Sequence, residues 1–135
     1  GCYFLFTEVL TDYILLPAIT IGLLSVAVLN LNNMRDRLSD TKVNKNTLAV
    51  ILGETRVKTY HTALILGGFT AALVYFLLQS KGLYSFLPLV AFIPLFLNIF
   101  KVYKTDIPKN LDPELKKVAL STFLFSILFF ITTLI

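Results

Sequence analysis

The sequence is poor in the residues that build disulfide, redox and zinc sites. Cys2 and His61 are the single cysteine and the single histidine among 135 residues, and tryptophan is absent. One cysteine excludes an internal disulfide and any paired-cysteine motif, and one histidine argues against a zinc site. The sequence also has no internal repeat, no low-complexity tract and no alternating strand pattern, so it predicts an all-α chain.

Charge is scarce as well, and long stretches have none. Charged residues make up 15% of the chain and apolar residues 56%, with a mean hydropathy of +0.79; soluble domains have about 45–50% apolar residues. Uncharged runs of 18 to 22 residues match the roughly 20 that a helix needs to cross a bilayer. The sequence therefore predicts a polytopic transmembrane helical bundle embedded in lipid, with about four spans, at 13–34, 59–80, 82–102 and 117–135.

The basic residues predict the orientation of these spans. Six lie between the first two spans, one in the next connection and five in the last. The positive-inside rule places the richer connections in the cytoplasm. We expect an integral protein of a bacterial inner membrane, with segment 35–58 cytoplasmic and the C-terminus external. The net charge of +4 follows from this pattern and gives no reason to invoke nucleic acid.

Local signals predict where helices begin and end. The opening "GCYFLFTEVLTDY" has only seven residues before Glu8, too few to span, and is predicted to be the end of a preceding helix in a longer protein. Asp112, followed by proline and glutamate, predicts a helix start. Asn46 is predicted to cap a short surface helix that Gly53 ends. Pro88 and Pro94 predict kinks within the third span.

Aromatic side chains near the ends of the spans predict contacts with the membrane interface. Amphipathic rings are common at that depth. We therefore expect anchoring rather than catalysis from Tyr60, His61 and Tyr103.

The stretch "LNLNNMRDRLSDTKVNKNTLAV", 29–50, carries the candidate chemistry. Asn32, Asp36 and Asp40 are spaced i, i+4, i+8, so they share one face if the helix continues past Met34. Carboxylates at a helix end near the bilayer are costly unless they meet cations or water, which favours a functional site. Two carboxylates four residues apart suit Mg²⁺, which also takes phosphate oxygens and water.

Basic and amide side chains beside these acids extend the candidate site. Arg35, Lys42 and Lys45 suit a phosphate group. Asn32 and Asn33 lie at the membrane end of the span, where unpaired amides are costly and apolar residues are usual. The alternative interpretation is an ordinary cytoplasmic loop whose charges pair with each other and with water.

The combined pattern resembles the UbiA superfamily of membrane-embedded aromatic prenyltransferases. "NLNNMRDRLSD" and "KVNKNTLAVILG" are similar to its second aspartate-rich motif and the loop that follows. The NNxRDxxxD and KxTLAVxxG elements are found together in the branch that acts on 1,4-dihydroxy-2-naphthoate in menaquinone synthesis. "LDPELKKVALSTFLF", 111–125, also resembles that branch. The matching motif positions are Asn32, Asn33, Arg35, Asp36, Asp40, Lys45, Thr47, Leu48, Ala49, Val50 and Gly53.

This resemblance implies a fold, a reaction and roles for the motif residues. The family has nine transmembrane helices, and residues 1–135 correspond to the C-terminal part of its single domain. A polyprenyl diphosphate and 1,4-dihydroxy-2-naphthoate are the implied substrates, and Mg²⁺ the cofactor. Asp36 and Asp40 would hold the metal, Arg35 and Lys45 would assist the leaving diphosphate, and substrate binding would fall to Asn32, Asn33 and Lys42. The family's first motif, NDxxDxxxD, is not in this sequence.

Three alternatives remain open beside this hypothesis. Another aromatic acceptor, such as 4-hydroxybenzoate, is used in branches with different residues around the same DxxxD. A transporter or interaction fragment would more often carry its acids near the bilayer midplane, whereas every acid from Asp36 onward lies outside the predicted spans. The CDP-alcohol phosphotransferases require Asp-Gly and Ala-Arg elements that are absent after Asp36.

Overall fold

A computed structural model describes residues 12–79 and 82–134. These residues contain no strand, which confirms the all-α prediction. Short 3₁₀ segments lie at Asp12–Ile14, Leu83–Phe92 and Pro108–Leu111. The α-helices are α1 Leu15–Lys42, α2 Leu48–Gln79, α3 Ile93–Lys104 and α4 Asp112–Leu134.

Four helical stretches in the described part of the chain are long and apolar enough to cross a membrane, as the sequence predicts. The third stretch combines the 3₁₀ segment with α3. We take the uncharged part of each stretch as its membrane-spanning segment, so the charged ends lie outside the apolar layer. Of the segment predicted to end a preceding helix, 1–13, residues 1–11 lie outside the described residues. The four stretches are Leu15–Lys42, Leu48–Gln79, Leu83–Lys104 and Pro108–Leu134.

The predicted motif loop is mostly helical. Helix α1 continues through residues 35–42, since no glycine or proline follows Gly22 until Gly53. Helix α2 begins at Leu48, and the backbone N–H of Ile51 donates to the Thr47 carbonyl at 3.0 Å. Thr47 therefore occupies the capping position predicted for Asn46. Gly53 interrupts α2 with φ 73° and ψ 179°, so the predicted end of a short helix at this glycine is confirmed.

The third span changes helix type at the predicted proline positions. Its first ten residues, Leu83–Phe92, form a 3₁₀ helix that contains Pro88. Proline lacks the N–H group that an α-helix interior requires. Pro94 lies in the first turn of α3, where a missing N–H leaves no helical hydrogen bond unmade.

Helices α1 and α2 pack antiparallel and form the largest interface. The Thr20 hydroxyl donates to the Gly68 carbonyl at 3.2 Å, and the Asn30 amide donates to the Val57 carbonyl at 3.3 Å. At Gly68 an added Cβ would lie 3.5 Å from Leu24, an ordinary van der Waals contact, so the two helices are closely packed here. These contacts fix the antiparallel register of the two helices.

Aromatic side chains fill the space between the remaining helices. Phe92 is fully buried and meets Phe125 of α4 and Phe69 of α2 edge to face, with ring centroids 5.7 and 5.3 Å apart. The Pro108–Leu111 segment packs on α1. As a result, the first residue of α4 lies beside the polar end of α1.

Candidate functional site

The polar end of α1 holds the predicted acids. Because the helix runs to Lys42, Asn32, Asp36 and Asp40 occupy successive turns of one face, as the spacing predicts. Asp36 is partly exposed, whereas Asp40 is 7% exposed. The stripe therefore leads from a partly solvated carboxylate to a buried one.

A tight turn after α1 returns the chain over Asp40. Asn44 adopts a positive φ of 53°, a conformation that asparagine tolerates better than most residues. The Lys45 backbone N–H then donates to the Asp40 carbonyl at 2.9 Å. This places the Lys45 ammonium 3.4 Å from the Asp40 carboxylate. The turn thus brings one predicted cation to one predicted acid.

Arg35 joins two helices at this site. Its Nε and Nη2 atoms bind the two carboxylate oxygens of Asp36 at 2.8 and 2.9 Å. Nη2 also donates to the Asn32 amide oxygen at 2.8 Å, and Nη1 donates to Asp112 of α4 at 3.0 Å. Arg35 is therefore bonded to two acids and one amide, and Asp112 is a residue of this cluster that the sequence pattern did not mark.

These contacts favour the ionised forms of Asp36 and Arg35. The Arg35 hydrogen bonds lower the pKa of Asp36 more than partial burial raises it, and the Lys45 charge lowers it further. The hydrogen bonds that Arg35 donates to Asp36 and Asp112 raise the pKa of Arg35 itself. The Lys45 ammonium, 3.4 Å from the Asp40 carboxylate, joins the cluster at its other end. The structure thus groups Asn32, Arg35, Asp36, Asp40 and Lys45.

Asp40 has an unused acceptor. Its Oδ1 atom faces Lys45, but its Oδ2 atom is buried and has no hydrogen-bond partner among the described residues. Buried polar atoms in proteins are almost always paired, because an unpaired one loses hydration without compensation. A cation or a hydrogen-bond donor would satisfy this oxygen.

Two predicted residues face elsewhere. Asn33 lines a cleft of about 210 Å³ with Asn30, Leu48 and Tyr60, on the side of α1 that meets α2. Lys42 is exposed and lines a cleft of about 350 Å³ that also contains Arg35. The first cleft is separate from the acids, whereas the second adjoins them through Arg35.

The donor atoms fit a partial magnesium site. In the described part of the chain, no three His, Cys, Asp or Glu side chains come together as a metal-binding group. Magnesium is typically held by one or two carboxylates together with substrate phosphates and water. Two carboxylates suit such an incomplete set: that of Asp36, and that of Asp40 with its unpaired Oδ2 atom. The remaining ligands would come from the substrate or from residues beyond this cluster.

A buried polar chain behind the site was not predicted. His61 Nε2 lies 2.8 Å from Asn98 Oδ1, and the Asn98 amide donates to Glu114 at 3.0 Å. Glu114 also accepts from Lys117 at 2.6 Å and lies 3.5 Å from Lys101. The chain therefore links α2, α3 and α4. The available signal was Asn98, a polar residue within an apolar span, which usually has a partner inside the bundle.

His61 corrects one prediction. It is fully buried and hydrogen-bonded to Asn98 rather than anchored at the membrane interface. The buried imidazole forms its hydrogen bond inside the helix bundle, whereas an anchoring ring would have to be exposed to lipid headgroups. Tyr103 is 47% exposed and Tyr60 is partly buried, so both are more accessible than His61. Their anchoring at the membrane interface stays a prediction.

The sequence comparisons agree with this architecture. Residues 1–127 match the profile of the UbiA prenyltransferase family. The chain belongs to this family of membrane prenyltransferases. No solved structure matches the chain.

Two relatives share the name 1,4-dihydroxy-2-naphthoate octaprenyltransferase. The Haemophilus influenzae protein is 36% identical over 135 residues, which is 100% of this chain and 44% of that protein. The Escherichia coli protein is 34% identical over 129 residues, 96% of this chain and 42% of that protein. The chain thus spans less than half the length of both relatives.

Proposed function

We propose that this chain is part of an enzyme that transfers a polyprenyl group from polyprenyl diphosphate to 1,4-dihydroxy-2-naphthoate, giving demethylmenaquinone. The observation that carries the proposal is the cluster of Asn32, Arg35, Asp36, Asp40 and Lys45 at the polar end of an apolar helix. A polyprenyl diphosphate has an apolar chain and a charged head group, so its binding site must lie where an apolar region of the protein meets a polar one. The prenyl group then lies among the spans and the diphosphate at the cytoplasmic mouth.

Charge explains the composition of the cluster. A fully ionised diphosphate ester carries about three negative charges, so two carboxylates approach it only where cations reverse the local field. Arg35 and Lys45 supply two such cations. Their hydrogen-bond donors would stabilise the negative charge that develops on the leaving diphosphate as the C–O bond breaks.

Asp36 and Asp40 would hold Mg²⁺, which when bound supplies further positive charge to the diphosphate oxygens. Because both Asp36 oxygens already accept from Arg35, a cation there would share these oxygens with the guanidinium or exchange with it. Asp40 needs no such exchange at Oδ2. Asn32 keeps Arg35 oriented through its amide oxygen.

The acceptor is the finer part of the proposal. The allylic carbocation left by diphosphate departure reacts with an electron-rich ring, and the naphthoate loses its carboxylate. The NNxRD context at Asn32–Asp36 and the names of the two relatives support the naphthoate over 4-hydroxybenzoate. Lys42, exposed beside Arg35, is a candidate for contacts with substrate anions.

The test uses membranes containing the intact protein. They receive Mg²⁺, a labelled polyprenyl diphosphate and either dihydroxynaphthoate or 4-hydroxybenzoate, with Asp36→Asn as the variant and Glu54→Gln as a control acid on α2. We expect label in the naphthoate product only, dependence on the metal, and a loss of at least about tenfold in the Asp36 variant. A hydrogen bond to a charged group contributes about 1.5–3 kcal/mol, and the Asp36 carboxylate accepts two from Arg35.

Each contrary result has a separate meaning. Label in the 4-hydroxybenzoate product would show that the proposed acceptor is wrong and would leave the proposed reaction class unchanged. Transfer that persists in metal-chelating buffer would remove Mg²⁺ from the proposal. Full activity of the Asp36 variant would support the alternative interpretation, in which "NNMRDRLSD" is an ordinary charged segment.

A further inference from the structure

Arg35 is shared between acids on two different helices. Asp36 is its neighbour on α1, and Asp112 is the first residue of α4. All three guanidinium nitrogens are engaged: Nε with Asp36, Nη2 with Asp36 and Asn32, and Nη1 with Asp112. Arg35 is thus held from a second direction that does not depend on Asp36.

The first turn of α4 is itself held by the buried polar chain. Glu114 is 4% exposed, and Asn98 and His61 are fully buried. Glu114 binds Lys117 at 2.6 Å and Asn98 at 3.0 Å, and Asn98 binds His61 at 2.8 Å. Hydrogen bonds therefore tie the turn that carries Asp112 to both α2 and α3.

This arrangement matters when a cation approaches Asp36. Each Asp36 oxygen accepts one hydrogen bond from Arg35 and keeps one further lone pair, so a cation at Asp36 would either share these oxygens with the guanidinium or displace it. A guanidinium with no second carboxylate would resist withdrawal, because leaving Asp36 would cost it its ion pair. Asp112 lets Arg35 release Asp36 while keeping one carboxylate partner 3.0 Å away.

We propose that Asp112 is a positioning residue that draws Arg35 from Asp36 and keeps the guanidinium beside the diphosphate, and that Glu114, Asn98 and His61 fix Asp112 for this task. This inference rests on the proposed function, since it concerns how the same site accepts its metal and substrate. It gives α4 a role in the function of the motif on α1.

The experiment measures a metal requirement rather than a rate. Intact protein is titrated with Mg²⁺, and retention of a labelled polyprenyl diphosphate is measured without any aromatic acceptor; transfer is measured in parallel. For Asp112→Asn we expect the half-saturating Mg²⁺ concentration to rise about two- to fivefold, the size of an exposed ion pair's contribution. Asp112→Glu should restore it.

The matched control is Asp106→Asn, which removes one exposed acid from the same connection between α3 and α4. We expect no shift there, so a general loss of negative charge is separated from the loss of the Arg35 pair. Glu114→Gln should shift the requirement in the same direction as Asp112→Asn. The half-saturating concentration does not depend on how much protein folds.

The outcomes separate the two proposals. If wild-type protein transfers label but Asp112→Asn leaves the metal requirement unchanged, the positioning role is wrong and the proposed function stands. An unchanged requirement in Glu114→Gln alone would remove the buried chain from the inference. If wild type labels no aromatic acceptor, the proposed function fails, while the binding titration still decides the role of Asp112.

Discussion

At the residue scale, Glu114 is a buried acid kept ionised by its neighbours. Burial by itself raises the pKa of Glu114, but the hydrogen bonds from Lys117 and Asn98, together with the charges of Lys117 and Lys101, outweigh it. The pKa therefore lies below the usual value of 4.5. Because the folded pKa is lowered, the ionised carboxylate stabilises the fold above pH 4.5 and loses this contribution as the pH falls through the folded pKa.

Glu114→Gln should therefore show a stability defect that depends on pH. We expect the intact wild type in detergent to unfold at a higher temperature than the variant at pH 6–7, because glutamine cannot pair with Lys117. As the pH falls below 4.5, the wild-type carboxyl is protonated and the difference in unfolding temperature should shrink.

Glu54→Gln is the matched control for this measurement. Glu54 is 48% exposed and pairs with Arg37 at 2.9 Å and with Lys58 at 3.6 Å, and ion pairs of an exposed acid contribute little to stability. We expect a small difference in unfolding temperature at every pH. A constant gap for Glu114→Gln between pH 7 and pH 3 would show that its charge does not stabilise the fold.

At the element scale, Gly53 divides α2 into a short first piece and a long spanning piece. Its φ of 73° and ψ of 179° lie in a region that is essentially reserved for glycine. Within the described part of the chain, no atom beyond the neighbouring residues lies within 4 Å of a Cβ built at this position. The constraint at Gly53 is thus the backbone conformation and not the space around it.

Gly53→Ala should destabilise the protein by about 1–3 kcal/mol, the usual cost of holding a non-glycine residue in such a conformation. The control is Gly22→Ala, within the regular part of α1, where a Cβ also meets nothing within 4 Å. Alanine favours helix there, so equal or higher stability is expected. Unfolding temperatures of the two variants in one detergent make the comparison, and equal losses would contradict the backbone explanation.

At the scale of the whole molecule, the candidate cluster lies at one end of the bundle. The turn after α1 and the start of α4 share this end through the Arg35–Asp112 contact. Leu83, which is 92% exposed, lies at the other end. The positive-inside rule predicts that the end with the cluster faces the cytoplasm, and this orientation stays a prediction.

Thiol labelling measures this orientation. In a Cys2→Ser background, Leu83→Cys should react with a membrane-impermeant maleimide in intact spheroplasts. Val43→Cys, at a position 71% exposed beside the motif, should react only after the membrane is opened. The Cys2→Ser protein alone should stay unlabelled, and the reverse pattern would invert the proposed topology.

Much of the fold was predictable because it follows from local sequence. Uncharged runs predicted the spans, and the glycine and proline signals predicted the break at Gly53 and the start of α4 at Asp112. The extent of α1 was predictable only in part. The sequence analysis assumed that the helix continues past Met34, so that Asn32, Asp36 and Asp40 share one face, but no sequence signal established this continuation. The sequence placed the start of α2 one residue early, since Thr47 rather than Asn46 precedes its first residue, and the Thr47 hydroxyl has no hydrogen-bond partner among the described residues.

The sequence by itself determined the class of protein, the spans and the acids of the motif, because hydropathy and residue spacing along one helix are local properties. Only the tertiary structure decided that Asp112 joins Arg35, and that His61 lies buried against Asn98 instead of at the membrane interface. Asp112 and Arg35 are 77 positions apart in the chain. Their contact depends on how α4 packs against α1, which no local pattern encodes.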